Sequence, residues 1–163
     1  MQIFITGASG HIASAVIPEL LGAGHEVVGL ARSDASAAAV ETLGAKVHRG
    51  SLDDLGSLRE AAAASDGVIH LAFKHEQAHA GNFAAAIAAD LRAKEAIGEA
   101  LGGSSKPFVG VSGTLALVLG GLKGTGTEAD GPGKGPQADG ENAMIALAER
   151  GVRSSVVRLP PTV

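Results

Sequence analysis

Short apolar runs alternate with longer stretches of helical periodicity along the chain. Six runs read as strands: Ile3-Phe4-Ile5, Val27-Val28-Gly29-Leu30, Val47-His48, Val68-Ile69-His70-Leu71, Phe108-Val109-Gly110-Val111 and Ser155-Val156-Val157-Arg158-Leu159. They are too continuous for strands wetted on one side, so the pattern predicts buried strands in a parallel sheet covered on both faces. Between them, apolar residues recur at helical spacing. Ile12, Val16 and Leu20 make one stripe, and Leu55, Leu58 and Ala62 a second. Phe83, Ile87 and Leu91 make a third, with Ile97 and Leu101 further on, and Met144, Leu147 and Ala148 a fourth. Strand alternating with helix predicts right-handed βαβ units and a doubly wound α/β fold. Pro18 falls inside the first helix and is expected to bend it. Residues 120–140 carry eight glycines, two prolines and no apolar period. They read as a flexible glycine-rich loop, of the length found in functional lids.

Composition narrows the function classes. A chain of 163 residues suits one domain, here 1–163. With 0 Cys, a disulfide scaffold or a thiolate metal site is excluded. A net charge of −4 and 2% aromatics argue against a nucleic-acid surface. No apolar run approaches a membrane span. Met1 leads straight into the first strand without a basic, cleavable leader, so a soluble, cytoplasmic setting is expected. Tyr and Trp are both 0, which excludes any mechanism using a tyrosine hydroxyl of these residues.

The strongest chemical signal is Thr6-Gly7-Ala8-Ser9-Gly10-His11-Ile12-Ala13, between the first strand and the first helix. In that context Gly7 permits a tight turn, and Gly10 lets backbone approach a pyrophosphate. Ala13 lets helix and strand pack closely. Unpaired amides at the helix start favour a phosphate anion. The expected fold is therefore a Rossmann-like sheet with strand order 3-2-1-4-5-6, binding a dinucleotide between the first and fourth strands. After the second strand, an NAD site would place an acidic residue on the ribose 2′-hydroxyl. This chain has Arg32 followed by Ser33. A guanidinium suits a 2′-phosphate, so NADP is favoured, with NAD possible. The alternative leaves Arg32 as a solvated charge and gives the ribose to Asp34.

At this point a family match emerges. Thr6-Gly7-x-x-Gly10-x-x-Ala13, Gly50-Ser51-Leu52-Asp53-Asp54, His70-Leu71-Ala72, Val111-Ser112-Gly113-Thr114 and Val157-Arg158-Leu159-Pro160-Pro161-Thr162-Val163 occur in order. Together they resemble an extended or atypical short-chain dehydrogenase/reductase of the NAD-dependent epimerase/dehydratase type. The resemblance implies cofactor contacts from Ser9, His11 and Ile12 at the pyrophosphate and from Ser51 and Leu52 at the adenine. It also implies them from Leu71, Ala72 and Phe73 under the ribose, and from Ser112, Pro160 and Pro161 near the nicotinamide. It implies Thr114, with Ser112, as the polarising catalytic hydroxyls. The bland reading of Thr114 is a hydrogen-bonded strand-end hydroxyl, and that of His70 is a packed core residue.

Two departures stand out. The resembled family has a Tyr-x-x-x-Lys before its last helix, and the matching positions fall near Gly133 and Gln137. Relatives also continue past the equivalent of Val163 into a C-terminal substrate-binding part. The expectation is that this part is absent here and that an apolar patch is exposed where it would pack. A rival motif, His75-Glu76-Gln77-Ala78-His79, matches the H-E-x-x-H pattern of zinc hydrolases, with Glu99 as a conceivable third ligand. Against it, Gly81 and Asn82 follow at once. The bland reading leaves both histidines exposed, and another puts His75 at the substrate mouth as an acid/base. The leading expectation is an NADP-preferring oxidoreductase acting on a small carbonyl or sugar-like substrate, possible as a homo-oligomer and without a metal. The runner-up is a non-catalytic NADP-binding or redox-sensing protein.

Overall fold

The computed structural model describes residues 1–160. Six parallel strands alternate with helices: β1 Gln2–Thr6, β2 Glu26–Ala31, β3 Lys46–Arg49, β4 Gly67–His70, β5 Pro107–Gly113 and β6 Arg153–Leu159. Their order is β3-β2-β1-β4-β5-β6, the order expected of a Rossmann-like sheet. The chain reverses direction across the sheet between β1 and β4, which pair from Ile3↔Gly67 to Thr6↔His70.

Helices α1 (His11–Gly22) and α2 (Asp34–Thr42) cover one face over β1 to β3. Ile3, Ile5, Ile17, Val27 and Val40 are buried there. The opposite face carries α3 (Leu55–Ala64), α5 (Phe83–Leu101) and α7 (Pro136–Ala146). Its core joins Phe4, Leu58, Ile97, Leu101, Phe108 and Met144. Two short helices, α4 (His75–His79) and α6 (Leu115–Leu119), follow β4 and β5. No helix among the described residues is long and apolar enough to cross a membrane.

Pro18 is accommodated inside α1, as the apolar stripe implied. Other details differ from the pattern-based expectation. Helix α2 carries only Ala37 and Val40 as buried residues, too few large side chains to make a visible stripe. In α5 the buried face is Ala86, Ala89, Ala93, Ala96, Ile97 and Leu101, while Phe83 is exposed. Small residues let the first half of α5 pack closely, so Phe83 lies off the buried face. Ala148 lies on a 3₁₀ turn, exposed, and the region read as loop through 140 gives its last positions to α7, started by Pro136 at its first turn.

Strands β3 and β6 are not buried throughout. Over β4 to β6 one face carries no long helix among the described residues. Ile69, Val109 and Val111 are half-buried there and Val157 is 49% exposed. Leu115, Val118 and Leu119 of α6 are also exposed.

Candidate functional site

The carboxyl ends of β1, β2 and β4 frame the site. Gly7 leaves β1 with φ +69, a left-handed conformation that costs an L-residue roughly 1–2 kcal/mol. Space is as decisive as the torsion. A Cβ at Gly7 would lie 2.7 Å from the Ala72 amide nitrogen. The turn closes with the Gly10 amide donating to the Gly7 carbonyl at 2.9 Å. Gly10 then caps α1 without a side-chain cap, and the first turn holds no acidic residue. The amides at this helix start therefore face outward, beside exposed Ser9 and His11 and half-buried Ile12. Ala13 is fully buried, as close helix–strand packing demands. Gly29 on β2 serves the same end, since a Cβ there would lie 2.6 Å from the Ala8 Cβ and 2.7 Å from Val40.

Arg32 emerges from the end of β2 and is exposed. One guanidinium nitrogen donates to Glu76 Oε2 at 3.2 Å. Glu76 stands on α4, after β4, so the pair crosses the end of β1 where the glycine turn begins. A second pair crosses the same way: Lys74 Nζ donates to both Asp53 oxygens at 2.7 Å, reaching the β3–α3 turn. Ser33 caps α2 through a reciprocal pair with Ser36. Asp34, the alternative ribose partner, accepts from Arg49 at 2.7 Å. Ser51 accepts from the Asp53 amide, and the Leu52 side chain joins the core. Leu71, Ala72 and Phe73 are half-buried beside the turn, with Phe73 edge-on to His75.

Beneath the turn runs a buried polar chain that pattern reading missed. The Ala72 amide donates to Thr6 Oγ1 at 3.3 Å, and Thr6 Oγ1 bonds His70 Nδ1 at 2.8 Å. His70 Nε2 meets Asp90 Oδ1 at 3.0 Å, and Lys94 Nζ donates to Asp90 Oδ2 at 2.7 Å. A carboxylate only accepts, so Nε2 carries the proton. His70 is thus buried, as its bland reading had it, but hydrogen-bonded at both ring nitrogens. Burial pushes the Asp90 carboxyl up, but the His70 and Lys94 bonds and charges outweigh it and hold it below the usual carboxylate range. No hydrophobic period announces a lysine on the buried face of α5.

At the end of β5, Ser112 is half-buried and Thr114 is exposed at the start of α6. The Thr114 amide donates to the Leu159 carbonyl at 2.9 Å, which fixes the β5 end to β6. An open cleft of about 410 Å³ adjoins Thr114, Thr127, Glu141, Ser155 and Arg158. Arg158 donates through Nε to Glu141 Oε1 at 2.9 Å and through another nitrogen to the Asp130 carbonyl. The Glu141 hydrogen bonds keep the Arg158 guanidinium more firmly protonated than usual. The contacts from Arg158 and Asn142 tie the glycine-rich segment to β6 and α7. Glu141 Oε2 is buried at this cleft without a hydrogen-bond partner among the described residues. Pro160 is exposed, and Pro161 lies outside the described residues.

His75 and His79 are both exposed on α4, with ring centroids 6.2 Å apart. Glu76 turns to Arg32 instead of a shared metal position, and Glu99 is bound by Arg59. Among the described residues no group of three metal-ligating side chains converges.

The chain matches the NAD dependent epimerase/dehydratase family over residues 3–121. It belongs to that family. An uncharacterized protein of Schizosaccharomyces pombe is 42% identical over 163 residues, covering 100% of this chain and 54% of that protein. The UDP-glucose 4-epimerase of Thermotoga maritima, solved with UDP-glucose, shares the fold with a TM-score of 0.76. It is 20% identical, over 97% of this chain and 55% of the epimerase. MoeE5, solved with UDP-glucose and NAD, aligns with a TM-score of 0.71 and 26% identity, over 96% of this chain and 52% of its own. The chain thus spans about half the length of the relatives it matches. For this member of the family, the residues present fit the phosphate-bearing half of a dinucleotide: a left-handed glycine cradle, an uncapped helix start and an arginine at the end of β2.

Proposed function

We propose that this chain is the nucleotide-binding part of an NADP-preferring oxidoreductase or epimerase-type enzyme acting on a carbonyl or sugar-like small molecule. The observation that carries the reading is the Gly7 turn, packed so closely on Ala72 that only glycine fits, opening onto the unpaired amides of α1. Gly7, Ser9, Gly10, His11 and Ile12 would hold the pyrophosphate, and Arg32 the 2′-phosphate. When bound, the nicotinamide supplies hydride transfer. Ser112 and Thr114 would polarise a substrate carbonyl at the end of β5. The unpartnered Glu141 oxygen offers an acceptor for a substrate hydroxyl in the adjoining cleft.

A paired titration of NADPH and NADH, read by nicotinamide fluorescence, tests this, and a chain without Trp gives a clean background. NADPH is expected to bind more tightly. Arg32→Ala is expected to lower that preference at least about tenfold, since one charge-assisted contact contributes roughly 1.5–3 kcal/mol. A preference unchanged by Arg32→Ala would remove the 2′-phosphate role, and no binding of either nucleotide would remove the cofactor reading.

One observation favours a second reading. The chain holds no Tyr, so the family-type proton donor is missing from these residues. An NADP-binding protein without turnover would give the same titration with no conversion of a carbonyl panel.

A further inference from the structure

The two residues that the sequence assigned to rival functions, Arg32 and Glu76, bond each other. Their bridge is set by topology. β2 and β4 flank β1, so a contact from the end of β2 to the helix after β4 must cross the mouth of the glycine turn. The Lys74–Asp53 pair crosses in parallel and fixes the segment that carries Glu76. Phe73, packed edge-on against both His75 and Phe83, steadies the same segment from within.

The quality of the bond is as telling as its position. Glu76 engages one nitrogen of the guanidinium at 3.2 Å, the long end for a charged pair. No other hydrogen bond involves Arg32 or the Glu76 side chain among the described residues. The rest of the arginine fork is therefore available. Both side chains are well exposed, so the pair is weak and exchangeable. A dianionic phosphate monoester can take two fork donors at once and displaces a singly held carboxylate.

We propose that Glu76 is a specificity-determining residue: a resident carboxylate that occupies Arg32 until a 2′-phosphate displaces it. The idea rests on the NADP reading of Arg32 and adds to it. Glu76 holds the arginine over the cleft in the empty protein and competes with a second anion for its donors. It therefore sets how strongly the 2′-phosphate is preferred, and its release frees the α4 segment from one of its two ties.

The test uses 2′,5′-ADP against 5′-AMP, titrated by calorimetry at low and moderate salt, so that the readout is binding alone. Glu76→Gln is expected to tighten 2′,5′-ADP about threefold, the scale of an exposed ion pair, and to leave 5′-AMP unchanged. In an Arg32→Ala background the same substitution is expected to change neither. Tightening of both ligands, or a gain that survives Arg32→Ala, would reduce Glu76 to a general surface charge and overturn the proposal. If Arg32→Ala weakens 2′,5′-ADP while Glu76→Gln does nothing, the proposal fails and the NADP reading stands. If Arg32→Ala itself leaves 2′,5′-ADP unaffected, the NADP reading fails and takes the proposal with it.

Discussion

Lys94→Met is expected to lower the unfolding free energy by about 3 kcal/mol, at the lower end of the cost of breaking a buried ion pair. The side chains of Lys94 and Asp90 are only 5% and 14% exposed, so solvent screens them little. Methionine preserves most of the aliphatic length, which isolates the charge. Asp90 keeps its His70 bond, and this holds the effect to the lower end. With neither Trp nor Tyr, unfolding in urea is best followed by far-ultraviolet circular dichroism. At a typical slope of roughly 2 kcal/mol per molar urea, the midpoint should fall by about 1.5 M. A loss under 1 kcal/mol would show that water reaches the pair. The double variant Asp90→Leu with Lys94→Met is not expected to recover the loss, because leucine would leave the buried His70 Nε2–H without its acceptor.

The same chain gives an acid limb of known sign. The Asp90 carboxyl is held below its ordinary range when folded. Its contribution is complete above the unfolded carboxylate value of about 3.9 and disappears as pH falls through the lower folded value. Stability against pH should therefore bend downward below about 4, and less so in Asp90→Asn. An unchanged bend in that variant would assign it to other carboxylates.

Gly7→Ala is expected to cost about 3 kcal/mol or more and to abolish nucleotide binding. Gly24 supplies the control. It has φ +80 and open space around its missing side chain, so Gly24→Ala carries the left-handed strain alone, about 1 kcal/mol. At Gly7 the same strain is joined by a contact of 2.7 Å with Ala72 backbone just past β4, whose amide is bonded to Thr6 Oγ1. Either the turn opens or β4 shifts, and both misplace the amides of α1. Equal losses at the two positions, with binding intact in Gly7→Ala, would separate the close approach from the site.

Most of the sheet and the glycine turn were legible in the chain because their signals are local. A buried parallel strand must be a short apolar run, and a turn into an uncapped helix must carry glycines at fixed places. The strand order followed from the dinucleotide-binding glycine turn together with right-handed connections. Helix α2 was not legible, since alanines bury little area and leave no stripe. Its neighbour α4 read as exposed residues after a strand, and its five-residue length gives no period to find. The third stripe was legible in existence but not in facing. Phe83 is large enough to suggest a core position, yet the helix packs through its alanines.

The chemistry divides along the same line. By itself the sequence determined a doubly wound sheet, a glycine turn at its switch point, an arginine at the end of β2, and the lack of a tyrosine. Each depends on residue identity at short range. Only the tertiary structure decided which charges meet. It brought Arg32 to Glu76, Lys74 to Asp53 and Arg158 to Glu141, and it buried Lys94 against Asp90 beneath His70 and Thr6. Of these pairs, only Lys94 with Asp90 is four apart in sequence, where it reads as an ordinary exposed helix pair. The others join distant elements, and no period or spacing encodes a contact between them. Coulomb attraction acts through space, so its partners are fixed only once the fold has set the distances.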